Sequence, residues 1–142
     1  MTRTVSNALT TILAILASAG CATYSTPLEE PPPPQLSLVS VSPQSGSVLA
    51  PGVTLVRARL HYRLETSTQG FIELFYLCST GGQLACLDNG RIADFSGREG
   101  DLDVAFGLRA PAGASISVSL SLTAEGVETP RAVVALSYQT AP

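Results

Sequence analysis

From Val56 to Leu64 the chain alternates without a break. Val56, Ala58, Leu60, Tyr62 and Leu64 share one parity, and Arg57, Arg59, His61 and Arg63 share the other. Successive side chains of an extended strand point to opposite faces, so as a strand this stretch is cleanly two-sided. A helix would divide the same apolar residues between opposite sides of its cylinder. The rhythm returns where Leu102, Val104, Phe106 and Leu108 alternate with Asp101, Asp103, Ala105 and Gly107. It returns again where Ile116, Val118, Leu120 and Leu122 alternate with Ser115, Ser117, Ser119, Ser121 and Thr123. Antiparallel sheets with one wet and one buried face produce such alternation.

Between these segments lie further strand candidates. They are Leu36 to Ser42, Phe71 to Cys78 (apolar on both faces apart from Glu73), Leu84 to Leu87, a short piece with Ile92, Asp94 and Phe95, and Arg131 to Gln139 with Val134, Leu136 and Tyr138 on one face. Pro43-Gln44-Ser45-Gly46, Ala50-Pro51-Gly52, Gly81-Gly82, Asp88-Asn89-Gly90 and Ser96-Gly97 read as turns, because proline presets φ and glycine tolerates positive φ. No internal repeat and no long amphipathic helical stretch interrupts the pattern. The count of about eight short strands with regular turn signals predicts an all-β, antiparallel β-sandwich over residues 36–142.

Composition narrows the function classes. The 142 residues carry 8 basic and 11 acidic side chains, all eight basic ones being Arg, for a net charge of −3. That balance speaks against a polybasic surface for nucleic acid. Charged residues make up 13%, about half the share usual in soluble domains, and 45% of the chain is hydrophobic, which argues against disorder in the domain. There is no G-x-S-x-G, no H-E-x-x-H and no glycine-rich phosphate loop, so neither a catalytic residue nor a cofactor is expected. The sole histidine also speaks against a zinc site.

The N-terminus reads MTRTVSNALTTILAILASAGC: a polar start with Arg3, an apolar run from Ala8 to Ala17, then small residues. About ten apolar residues are too few to span a bilayer, which takes roughly 20, but they suit the core of an export signal. Ser18-Ala19-Gly20 before Cys21 resembles the lipobox of bacterial lipoproteins, with Ser18 where that family prefers Leu. The resemblance implies cleavage after residue 20, acylation of Cys21 and a membrane anchor. Ala22, where an Asp would resemble the inner-membrane retention signal, implies the outer membrane. Ala17-Ser18-Ala19 also has the A-x-A form of ordinary cleavage, which would release a soluble protein starting at Gly20.

Residues 1–20 are thus read as signal and 21–35 as lipidated cysteine plus linker. The linker ATYSTPLEEPPPPQ favours polyproline II, and its fourteen residues reach roughly 40 Å at about 3.1 Å each. The order Val41-Ser42-Pro43-Gln44-Ser45-Gly46, Pro51-Gly52 and then a long alternating strand resembles bacterial immunoglobulin-like modules. The Trp of antibody domains is missing.

With Cys21 assigned to lipid, Cys78 and Cys86 remain in an exported domain, where oxidation is expected. A three-residue loop Gly81-Gly82-Gln83 would place Cys78 opposite Cys86, within bridging distance. Arg57, Arg59 and Arg63 form the most distinctive stripe. It is read first as complementary to Asp101 and Asp103 on a paired strand, and second as a surface for an anionic partner. His61 sits between Arg59 and Arg63, and two such neighbours would disfavour its protonation. Asp88, Asp94, Glu99, Asp101 and Asp103 read as a solvated acidic edge rather than a calcium loop. Phe71, Phe75 and Leu77 are read as core beneath folded-over loops, or else as an apolar patch. The serine face of residues 115–121 would accept an added strand only at a sheet edge.

These readings predict a non-catalytic envelope lipoprotein that is a binding or assembly module for a protein or glycan partner. The alternative is a structural spacer or accessory subunit with no ligand of its own.

Overall fold

The computed structural model describes residues 32–127 and 132–142. The expected signal segment, the expected lipidation site Cys21, nearly all of the linker and Arg131 lie outside them. The described residues give β1 (Gln35–Ser42), β2 (Val48–Leu49), β3 (Gly52–Arg63), β4 (Gln69–Thr80), β5 (Gln83–Ser96), β6 (Glu99–Ala110), β7 (Ser115–Ala124) and β8 (Ala132–Thr140). They form two sheets, β1-β3-β6 and β2-β8-β7-β4-β5. All neighbours are antiparallel except β2 and β8. After β1 the chain turns through the cis Ser42–Pro43 bond into the other sheet, where β2 runs beside the last strand. This is an immunoglobulin-like β-sandwich.

Alternation sets which side of each strand is dry. Val56, Ala58, Leu60, Tyr62 and Leu64 are all buried, as are Val104, Phe106 and Leu108 from β6 and Ile116, Val118, Leu120 and Leu122 from β7. They meet Ile72, Leu74, Tyr76, Leu136 and Tyr138 in one core. Each large aliphatic side chain buried this way contributes about 1.5–3 kcal/mol before the entropy of ordering it. In β1 an extra residue between Leu38 and Ser40 shifts the parity, so Val41 packs on the core with Leu36 although odd and even positions should part.

Four polar side chains that reach into the core are matched. The Tyr62 hydroxyl donates to the Ser96 carbonyl at 3.2 Å, and that of Tyr138 to the Pro43 carbonyl at 2.9 Å. Tyr76 accepts from the Arg109 amide at 3.3 Å. Thr140 accepts from the Ala114 amide at 2.7 Å and donates to the Pro111 carbonyl, closing the β6–β7 connection against β8.

Two expectations about connections are corrected, and one strand is added. Asp88-Asn89-Gly90 is not a turn. β5 runs through it, pairing these residues with Tyr76, Phe75 and Leu74, and Gly90 has no positive φ. Turn-forming side chains are tolerated because β5 is an edge strand whose outer side faces water.

The preceding hairpin has a two-residue turn, with Gly81 and Gly82 at φ 58 and 79 and Thr80 opposite Gln83. One extra residue, Ala85, then bulges between the Ser79–Leu84 and Cys78–Cys86 pairs. The shorter turn and the bulge cancel, so Cys78 and Cys86 still face each other and form a disulfide, with Cα atoms 4.9 Å apart. The added strand is β2, which two residues of sequence do not announce.

Candidate functional site

The two outer faces of the sandwich differ sharply. On the three-stranded sheet, β3 places Arg59 opposite Asp103, His61 opposite Asp101 and Arg63 opposite Glu99. Arg59 Nε lies 3.5 Å from Asp103 Oδ1 and 3.9 Å from Asp101 Oδ2. Arg63 Nε turns to Glu65 at 2.9 Å. The expected pairing of the stripe with Asp101 and Asp103 is therefore present at Arg59, and such exposed pairs contribute at most about 1 kcal/mol each.

Arg57 is different. Ala105 stands opposite it, and it has no carboxylate partner among the described residues. It borders an open hollow of about 480 Å³ with Ser40, Ser42 and Arg59.

His61 overturns the expectation from its sequence neighbours. Its Nδ1 lies 2.8 Å from Asp101 Oδ1 and its Nε2 3.2 Å from Glu99 Oε1. Only the imidazolium donates to both carboxylates, so hydrogen bonding to Asp101 first, and to Glu99 second, raises its pKa above the usual histidine value. Arg59 and Arg63 are two residues along the strand, while the carboxylates are on the adjacent strand and closer.

Ser37 is the β1 partner of His61 in register, so serine, histidine and aspartate lie in one row across three strands. The row is not an assembled triad, because Glu99 occupies the imidazole nitrogen that would face the serine. Among the described residues no cluster of three His, Cys, Asp or Glu side chains could hold a metal ion.

The outer face of the five-stranded sheet is nearly free of charge. β4 presents Phe71, Glu73, Phe75 and Leu77 outward, since the alternate residues Ile72, Leu74 and Tyr76 are buried. The expectation that loops cover Phe75 is thus corrected: it is 40% exposed beside Asn89, and further along β5 Leu87, opposite Leu77, is 56% and Leu84, opposite Ser79, 65% exposed. The serines of β7 lie on the same face, but β7 runs between β4 and β8, so it is no edge for strand addition.

Charge gathers at one end of this face. The Arg91 guanidinium sits 3.7 Å over the Phe71 ring, and its Nε is 2.8 Å from Asp94. Gln69, Ser96 and Glu125 complete an open cavity of about 600 Å³ there. Nearby, the Thr123 hydroxyl is buried without a hydrogen-bond partner. Sequence reasoning missed the Arg91–Phe71 pair, because β5 had been divided at Asp88-Asn89-Gly90 and its register against β4 was lost.

No protein-family model matches the chain, and no curated protein matches it. Among solved structures it is similar to Spo0M, sporulation control protein, from Bacillus subtilis. The TM-score is 0.44 and the identity 11%, over 78% of this chain and 50% of that one. The chain thus spans half the length of that structure. Likeness at this level carries no functional argument.

Proposed function

We propose that this protein is a non-catalytic lipoprotein of the bacterial envelope, anchored at the outer membrane through acylated Cys21. Its immunoglobulin-like domain is a binding or assembly module for a protein or glycan partner. The observation that carries this reading is the apolar run ending at Ser18-Ala19-Gly20-Cys21. Two features of the domain support it. The disulfide uses Cys78 and Cys86, which leaves Cys21 as the remaining cysteine of three. The bridge itself suits an oxidising compartment. β1 begins at Gln35, where the proline-rich linker ends, so a tether would join the sandwich at its first strand.

A stable anchor takes two acyl chains or more, because one chain gives only marginal binding. The test is intact mass of the mature protein, with membrane fractionation of wild type and Cys21→Ser. Acylated chains starting at Cys21, found with the membrane and lost from it on Cys21→Ser, are expected. A mature chain starting at Gly20 without acyl groups would overturn the anchor and leave a soluble secreted protein.

A second reading of the module gives it an anionic partner. It is favoured by Arg57, whose guanidinium has no carboxylate partner among the described residues and borders the hollow on the three-stranded sheet. Substituting Arg57, Arg59 and Arg63 together by Ser tests it, and unchanged partner capture with unchanged folding rejects it. A spacer or accessory subunit without a ligand would instead arrive in a complex of fixed stoichiometry.

A further inference from the structure

The ladder of charges on the three-stranded sheet breaks off one row short. Arg63, His61 and Arg59 face Glu99, Asp101 and Asp103 in turn, but the next cation, Arg57, faces Ala105. Beyond it Leu55 faces Gly107 and Val53 faces Arg109. Past Asp103, then, the outward residues of β3 and β6 hold two arginines and no acid. β1 supplies the other wall. The extra residue between Leu38 and Ser40 reverses its parity, so Ser40 and Ser42 stand opposite Arg59 and Arg57 while Val41 packs on the core. Re-aiming side chains beside a site is a recurrent use of such a bulge. Both serines are exposed, and no hydrogen bond among the described residues engages either hydroxyl.

We infer that the hollow of about 480 Å³ bordered by Arg57, Arg59, Ser40 and Ser42 is a binding site for a phosphate group. The inference rests on the reading of the module as a binder of an anionic partner, and names the anion. A guanidinium offers its donors in one plane, which is enough for the two oxygens of a carboxylate. Here two hydroxyl donors rise from the neighbouring strand, outside any single guanidinium plane. A tetrahedral oxyanion, with three or more acceptor oxygens, uses both sets at once.

Asp103 also lines the hollow, 3.5 Å from Arg59 Nε. Arg57 and Arg59 against Asp103 leave one net positive charge at the rim. On so open a surface that suits a dissociation constant of about 1–10 mM for inorganic phosphate. The floor next to the hollow is low, since Ala105 and Gly107 carry a methyl group and none. Leu55 and Val53 stand beside it, 54% and 67% exposed. A phosphate borne on an acyl chain therefore gains contacts there that a free phosphate lacks, and this difference separates a lipid headgroup from a soluble phosphate as the source.

The experiment is an NMR titration of the full-length mature chain carrying Cys21→Ser with sodium phosphate, ionic strength being held constant with sodium chloride. Saturable shifts of the Ser40, Ser42 and Arg57 amides are expected. Arg57→Gln, at an exposed position, should weaken binding about tenfold or more, the loss of one charged hydrogen-bonding group. Asp103→Asn should tighten it about threefold by removing a like charge nearby. Arg98→Gln, which removes the same charge between β5 and β6, should leave it unchanged. Acetate should bind at least about fivefold more weakly, since it leaves the serine hydroxyls unused. In a second arm dihexanoyl phosphatidate, monomeric in water, replaces phosphate: tighter binding that Arg57→Gln abolishes supports a lipid headgroup, and equal binding supports a soluble phosphate. No saturation by about 100 mM phosphate overturns the inference. So do shifts that survive Arg57→Gln, or acetate binding as tightly as phosphate. If phosphate fails while the triple serine variant still loses its partner, the anionic-partner reading stands and the phosphate assignment alone falls.

Discussion

Removing the Cys78–Cys86 bridge tests how much of this domain's stability is set in its unfolded chain. The bridge spans a sequence separation of 8 and ties β4 to the edge strand β5. In the chain-entropy model, a loop of that size lowers the entropy of the unfolded ensemble by about 8 cal/mol/K, or about 2.5 kcal/mol at room temperature. Cys78 is fully buried, so the Cys78→Ala/Cys86→Ala double variant also loses some packing, and reduction of the wild type is the cleaner comparison. For a domain of this size, about 2.5 kcal/mol corresponds to a fall in Tm of about 10–20 °C. Urea denaturation of oxidised and reduced protein measures the difference directly. The m-value should rise slightly on reduction, because the freed chain expands when unfolded. A midpoint and m-value unchanged by reduction would refute the loop-closure account and place the bridge's effect elsewhere.

Other consequences are as direct. Gly70→Ala should cost about 1–3 kcal/mol, because a Cβ there meets the Phe95 ring at 2.7 Å and the fixed Thr123 carbonyl at 2.9 Å. Gly90→Ala, with open space around it, should stay within about 0.5 kcal/mol in the same melt. Thr140→Val should lose about 1–3 kcal/mol by denaturant titration, since the Ala114 amide is left without its acceptor. His61 should titrate above its ordinary value when followed by NMR, and Asp101→Asn should bring it back down. Because the folded pKa is raised, the stabilising contribution is complete below the unfolded value and is lost as pH rises through the folded one. Comparing the pH dependence of wild type with that of His61→Asn checks the sign. Salt should weaken the effect, because the cluster lies in water.

Where one face of a strand is dry, the sequence was sufficient. Val56 to Leu64, Leu102 to Leu108 and Ile116 to Leu122 all bury the expected parity, because burying the wrong one would put arginine, aspartate or a serine row into the core. β5 was illegible for the opposite reason. Its Asp88 and Gly90 face inward at a rim where no third strand covers them, so no apolar period was needed there. Turn-like composition then outweighed the register that β4 imposes.

The candidate site was half legible. The Arg59–Asp103 pairing follows from the predicted neighbourhood of β3 and β6, whereas the state of His61 depends on which carboxylates lie across the strand pair, and neighbours in sequence gave the wrong sign. Phe75 and Leu77 were ambiguous because a strand apolar on both faces does not say which face a second layer covers.

The placement of the first and last strands has a mechanical consequence. Gln35 pairs with Arg63 at the far end of β3, while Thr140 lies beside Leu49, just before β3 begins, so the chain enters and leaves the sandwich at opposite ends. Tension applied between those two points pulls β1 lengthwise along β3. Their hydrogen bonds are then loaded all at once in shear, instead of peeling open one by one, and a small domain hung by its first strand gains resistance to being drawn apart.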